Sequence, residues 1–479
     1  MVNFETMIHR LPALLFSLLF ILSLSASAQW DDKDVLSADF HKGRREALRK
    51  LLPEKSVAVL FANPVRNRSN DVDYQYSQDP NFFYLTGYEE PEAVLLLFKE
   101  PRNLDGQEVN EVLFVQERNA KQETWTGSRL GVDGAKSKLG FKAVYNGADF
   151  KEFGLDFAKF EHIYAIYPTL PDKDATDTVD LSRLVDQFTE KIKGMDDKLS
   201  KGTLKKWMGQ LREVKQPEEI ALLQKAIDIT CDGFKAMMRI LHTGMMEYQA
   251  QSVVEYYMKK NGAEYEGYGS ICGSGKNACT LHYTFNRKTV NDKELLLADI
   301  GGEYHHYTAD ITRTMPVNGK FTIEQKILYD LVREAQDSGF AVCKSGSSFR
   351  ATHTATSSVI RKGLVQLGII KDEKDFTKYF MHGTSHYLGL DVHDAGTFSS
   401  LQPGNVITVE PGIYIPAGSD CDPKWWNIGI RIEDDVLITK EGYTILTNSL
   451  PRTTKDIEKL MSEPSNFDPD LMNFRNPGK

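Results

Sequence analysis

Four carboxylates and one imidazole, Asp299, Asp310, His386, Glu410 and Glu433, each fall in a short segment that reads as strand or tight turn. They are scattered over more than a hundred positions, so a fold that uses them together must bring several separated strands to one place. Gathered, they would form an oxygen-rich cage for two divalent cations. A metal pair beneath a deep pocket implies hydrolysis by an activated water.

The segments support that convergence one by one. Leu295 to Asp299 is an apolar strand that ends in an acid and runs into Gly301 and Gly302. Tyr307 to Thr314 reads as the returning strand, and a hairpin through Glu303 to His306 would set Asp299 beside Asp310. Two carboxylates placed so close repel unless a cation lies between them; the plain alternative is that one is exposed at the turn. His382, His386 and His393 put three of the eleven histidines in one loop, next to Asp391 and Asp394. Val406 to Gly412 is a strand closed by Glu410, and Arg431 to Ile438 is the last strand. Alternation puts Arg431 and Glu433 on one face, where a surface ion pair is the alternative. His305 and His306 read as surface residues at the hairpin tip.

The rest of the chain frames this site. Its 479 residues, 41% hydrophobic and 26% charged, suit a multi-domain globular protein. A formal net charge of −9 excludes the basic stripe of a nucleic-acid binder. Residues 36–200 read as an α/β domain with a mixed sheet. A helix is expected over Arg44 to Leu52, and buried strands over Ser56 to Ala62, Glu92 to Phe98, Glu111 to Val115 and His162 to Tyr167. Asp105-Gly106 suggests a hairpin. Residues 201–214, polar and basic, read as a linker. Residues 215–458 read as an α+β domain with helices over a curved antiparallel sheet. Pro217-Glu218-Glu219 opens one helix, another covers Met246 to Lys260, a third follows the capping box Thr322 to Gln325, and a fourth covers Ala351 to Leu367. Residues 459–479 form a polar tail.

The N-terminus reads as a signal peptide over residues 1–28. Leu11 to Leu24 is apolar, and Ala26 and Ala28 match a cleavage site before Gln29. The run is shorter than the roughly 18–20 residues that span a bilayer, so the expectation is an exported protein, periplasmic or secreted, with no stable membrane insertion after cleavage. The five cysteines, Cys231, Cys272, Cys279, Cys343 and Cys421, show no C-x-x-C spacing and read as free thiols.

The segments ADIGGEYHHYTADITRTMPVNGKF, MHGTSHYLGLDVHD, ITVEPGIY and GIRIEDDVLIT, with GSGKNACTLHYTFN around His282, resemble the pita-bread-fold metallopeptidases, in particular the Xaa-Pro aminopeptidase (aminopeptidase P) branch. DPNFFYLTGYEEPEAVLLL is similar to the N-terminal domain of that branch, and the resemblance covers about 420 residues. It implies that Asp299 chelates one metal, that Asp310 and Glu433 bridge both, and that His386 and Glu410 hold the second. Hard oxygen ligands suit Mn²⁺. It implies a proton shuttle at Glu410, and His282 and His393 on the scissile carbonyl or tetrahedral intermediate. His382 would line a proline pocket, and Arg431 would steady the residue beyond the proline or orient Glu433. Trp125 in ETWTG matches a tryptophan that reaches a neighbouring subunit, which implies a homo-oligomer, dimer or tetramer; a core aromatic is the alternative. Lys276 stands where relatives often carry an acid, at the expected pocket rim.

The implied substrates are peptides with an Xaa-Pro N-terminus. A prolidase, which cuts only Xaa-Pro dipeptides, is the nearest rival. A non-catalytic binding protein on this fold is a more distant one, since such proteins usually lose ligands and all five are present here.

Overall fold

Apolar runs without alternation become strands buried on both faces, as Ser56–Phe61 illustrates with six consecutive buried residues. The computed structural model describes residues 34–104, 106–169 and 181–465. The expected signal peptide, residues 1–28, and most of the polar tail lie outside the described residues.

The first half builds a six-stranded sheet. Its order is Val144–Asn146, Gln107–Val115, Val94–Leu104, Ser56–Phe61, His162–Ile166 and Leu199–Ser200. The sheet is mixed: Ser56–Phe61 runs antiparallel to Val94–Leu104 and parallel to His162–Ile166. The expected hairpin forms, with Leu104 paired to Gln107. The first helix starts at Ala38 rather than Arg44, because Ser37 caps it by accepting the Phe40 N–H. The polar stretch read as a linker is not extended. Thr203–Arg212 is a helix whose Leu204, Met208 and Arg212 are buried.

In the second half every strand pairing is antiparallel. Helices Pro217–Ile240, Glu247–Lys260, Ile323–Phe340 and Ala351–Gln366 pack around these strands. The capping box forms as expected, Thr322 Oγ1 accepting from Gln325 N while Gln325 Oε1 accepts from Thr322 N. One apolar cluster is continuous from Phe40 and Phe82 in the first half to Leu223, Val253 and Leu328 in the second. Each fully buried leucine or phenylalanine there contributes roughly 1.5–3 kcal/mol, so the two halves share a core.

The site strands are broken where the acids sit. Leu295–Asp299 pairs with Thr312–Pro316, Asp299 facing Thr312. Asp310 is not within a strand; it lies between Tyr307–Thr308 and Thr312–Pro316. Glu433 likewise falls between Ile428–Arg431 and Asp434–Ile438. Gly301 is required here, because an added Cβ would overlap the carbonyl of Ala309 on the opposing segment.

The turn joining Gly302–Tyr304 to Tyr307–Thr308 has two residues, His305 and His306, both in the left-handed region (φ 47° and 70°). They are not the free surface groups expected. His305 is buried, with Nδ1 2.8 Å from Glu264 and Nε2 3.3 Å from Asp34. His306 packs on Phe83, ring centroids 3.9 Å apart, and lies 3.5 Å from Glu89. Glu264 and contacts with the first half therefore hold together a bend that these residues disfavour.

Candidate active site

The five separated residues expected as ligands line a single cavity of about 720 Å³, together with His282, His382, His393 and Arg431. Asp299 ends a strand, Glu410 follows Val406–Val409, and His386 comes from the loop that runs beside that strand; Glu410 N donates to Thr384 O and Thr408 N to His386 O. Asp299, Asp310 and Glu433 are buried, whereas His282 and His393 stand exposed at the mouth.

The inner wall has the chemistry of a cation site. One donor atom each from Asp310, His386 and Glu433 lies within 4.8 Å of the others. His386 Nδ1 is 3.0 Å from Tyr387 O, and an N–H there turns Nε2 towards Asp310 Oδ2 at 3.3 Å and Glu410 Oε1 at 3.5 Å, where a cation would take the place of the ring proton. Burial drives Glu410 up to about 7, although His386 and Arg431 oppose it. Burial, then the charges of Asp310, Glu410 and Asp299, hold Glu433 well above the usual carboxylate range. Burial also raises Asp299, against the pull of Arg431. Burial works against a charge on His386, but Asp310 and Glu410 outweigh it and carry the ring up to about 9. Acids crowded out of water in this way are relieved by a bound cation. The donor set therefore fits divalent metal.

Arg431 belongs to this wall and donates from all three of its nitrogens. Nη2 donates to Asp299 Oδ2, Nη1 to the Tyr414 hydroxyl at 2.8 Å and Nε to Thr312 Oγ1 at 3.1 Å. The direct Arg431–Glu433 pair suggested by alternation does not form, because the strand ends at Arg431 and Thr312 Oγ1 donates to Glu433 Oε2 instead. A surface pair is excluded, since Arg431 is 3% exposed. His382 has both nitrogens occupied, Nδ1 2.7 Å from Gly383 O and Nε2 2.8 Å from the Tyr414 hydroxyl. Burial, then Arg431, pushes its pKa down to about 3, so the ring is neutral.

Two supports escaped sequence reasoning. The Tyr268 hydroxyl lies 2.6 Å from Asp299 Oδ1 and 2.7 Å from Asp310 Oδ1. Glu247, buried at the first turn of its helix, accepts five hydrogen bonds: Ser274 N, Ser274 Oγ and Asn277 Nδ2 on Oε1, and the Tyr283 hydroxyl and Lys288 N on Oε2. Both ends of the loop that carries His282 are tied to that carboxylate. Nothing in the residue pattern marked Tyr268; for Glu247 the helix-start position was the sole hint.

Other expectations fall elsewhere. Trp125 is not a core aromatic; it is 86% exposed on the helix Ala120–Thr126 and is not part of the cavity lining. Lys276 is exposed and is not part of the lining. All five cysteines are free thiols. No helix among the described residues is long and apolar enough to cross a membrane.

Known proteins resemble this chain over most of its length. The pattern of metallopeptidase family M24 matches residues 221–440, and that of the aminopeptidase P N-terminal domain matches residues 41–164. The Xaa-Pro aminopeptidase of Escherichia coli (strain K12) is 38% identical over 436 residues, 87% of this chain and 96% of its own. Human Xaa-Pro aminopeptidase 3 is 34% identical, with 88% of this chain and 85% of its own covered. Among solved structures, E. coli aminopeptidase P with the inhibitor Pro-Leu superposes with a TM-score of 0.80 at 35% identity, covering 89% of this chain and 98% of that one. The aminopeptidase PepP of Pseudomonas aeruginosa gives 0.80 at 34% identity over the same shares.

Proposed function

The chain belongs to metallopeptidase family M24 and is a metallo-aminopeptidase, and from that premise we propose that it is exported and releases the first residue of peptides whose second residue is proline. The observation that carries this reading is one cavity that holds four carboxylates and His386 Nε2 on its inner wall and His282, His382 and His393 around them.

Asp299, Asp310, His386, Glu410 and Glu433 would hold two divalent cations, and the oxygen-rich donor set favours Mn²⁺. When bound, such a pair supplies an acidified water and positive charge where the oxyanion develops. The chain's own groups do the rest. Glu410, at the junction of metal wall and open cavity, is placed to carry a proton from water to the leaving nitrogen. His282 and His393, at the mouth, can donate to the scissile carbonyl. His382 offers a ring rather than a proton, since both nitrogens are taken, which suits a wall for pyrrolidine. Each nitrogen of Arg431 already donates, to Asp299, Thr312 and Tyr414, which favours an orienting role over a hold on the residue beyond the proline.

Proline explains the need for such a site. An Xaa-Pro amide has no N–H and a fixed φ, so a peptidase that grips that N–H has nothing to hold. A shaped ring pocket beside a preorganised electrophile avoids the need.

The test is metal-dependent release of the first residue from an Arg-Pro-Pro peptide, with Asp310→Ala alongside. Turnover should vanish in the variant and on chelation. Turnover of Xaa-Pro dipeptides alone, with Xaa-Pro-Yaa tripeptides untouched, would replace this reading with a prolidase. Export rests on the pattern of residues 11–28 and is tested by fractionating cells that express the full chain. The exposed indole of Trp125 supports a homo-oligomer; sedimentation of Trp125→Ala should show smaller particles, and an unchanged mass would remove that support.

A further inference from the structure

The loop that carries His393 is held from outside the catalytic half. Arg212, the last residue of the helix Thr203–Arg212, is 2% exposed. Its guanidinium contacts three residues. Nη1 donates to Asn81 Oδ1 at 2.9 Å, and Nη2 donates both to Asp391 Oδ2 at 2.8 Å and to Asp394 Oδ1. Asn81 lies in the helix Pro80–Thr86 of the first half, and the two aspartates bracket His393. Lys215 Nζ donates to the other oxygen of Asp394 at 2.8 Å. Two positive and two negative charges thus neutralise one another at the domain junction, with the side chains of Arg212, Lys215 and Asp394 almost wholly out of water.

The loop has little freedom beyond this anchor. Asp394 N donates to Tyr387 O at 2.8 Å, and Thr308 N donates to Gly389 O at 3.0 Å. The Asp394 carboxylate lies where a Cβ on Gly389 would be. His393 projects from the clamped segment with its ring 4.3 Å from that of His386. A planar fork can satisfy three acceptors in fixed directions, which an ammonium cannot reproduce.

We propose that Arg212 is a positioning residue for the reaction: by gripping Asn81 while holding Asp391 and Asp394, it sets His393 over the substrate and makes that setting depend on how the N-terminal domain is seated. This rests on the reading of His393 as a group that meets the scissile carbonyl. Arg212 touches no reacting atom, so it acts through His393.

The test is a double-mutant cycle on the metal-loaded full chain with an Arg-Pro-Pro peptide: parent, Arg212→Lys, His393→Ala and the double variant, with thermal midpoint and bound metal measured for each. Arg212→Lys keeps the charge and loses the fork; a displaced His393 should lower kcat by on the order of 10- to 100-fold with bound metal unchanged. In the double variant the rate should match His393→Ala alone to within about twofold, because the two changes remove one interaction. Losses that multiply, or a parental kcat in Arg212→Lys, overturn the inference. A parental rate in His393→Ala overturns the reading of His393 and the inference with it. Should Arg212→Lys fail to fold, Asn81→Ala removes the N-terminal grip and leaves all three ion pairs; its loss of rate must likewise disappear in the His393→Ala background.

Discussion

The Tyr268 hydroxyl has one proton and two carboxylate oxygens within hydrogen-bond distance, so without a cation one acid must share or supply a proton. With a cation between the acids, the hydroxyl serves as the outer partner that fixes how they point. Tyr268→Phe should therefore weaken metal binding by roughly 10- to 100-fold, read by chelator competition, with the fold intact. An unchanged affinity would show that the acids hold their orientation unaided. The four acids were legible as candidates because each closes or follows an apolar segment near a turn, and His386 because it stands among three histidines in one loop. Tyr268 was not: a tyrosine in Gly267-Tyr268-Gly269 offers no ligand chemistry until the fold sets it between two aspartates. The pairing of Arg431 with Glu433 failed for a related reason, since alternation holds only while the strand continues, and this one stops at Arg431.

Glu247 acts on a whole segment from the first turn of Glu247–Lys260, where a carboxylate also faces the positive end of the helix dipole. Glu247→Gln replaces one acceptor oxygen by a donor, so either the Ser274–Asn277 end or the Tyr283–Lys288 end of the loop loses its partner. The expected cost is about 2–3 kcal/mol, seen as a lower urea midpoint, with a reduced rate as His282 loosens; a parental midpoint would contradict it. Elements with end signals were readable, as Pro217-Glu218-Glu219 and Thr322 to Gln325 show. The interruption at Asp310 was not. Gly302–Tyr304 with Tyr307–Thr308, and Leu295–Asp299 with Thr312–Pro316, belong to separate ladders. Distant packing decides that division, and no local residue announces it.

At the scale of the molecule, the two halves meet through aromatic and imidazole rings. His41 Nδ1 lies 3.1 Å from Tyr84 O, and its ring packs edge-on against Phe83, which His306 covers from the other half. Burial depresses His41 from its ordinary 6.5 to about 4. The unfolded chain therefore takes up this proton first as pH falls. The stabilisation is complete above about 6.5 and is lost on the way down to 4, amounting to about 2 kcal/mol between pH 7 and pH 5. Urea titrations at those two pH values should show this slope in the parent and a flatter one in His41→Gln; equal slopes would remove His41 from the account. Composition marked where one half gives way to the other, but not that Thr203–Arg212 would be a packed helix or that the apolar cores would merge. Both depend on surfaces that the chain presents to itself only once folded.

The bend at His305 and His306 has an evolutionary corollary. Its two reluctant backbone angles are braced by Asp34, Phe83 and Glu89, and its legs run directly to Asp299 and Asp310. Recombination that swapped the upstream module for a foreign one would leave Glu264 as that tip's remaining brace and disturb both acids at once. The catalytic half is therefore not a portable cassette: the two modules must be inherited as a matched pair.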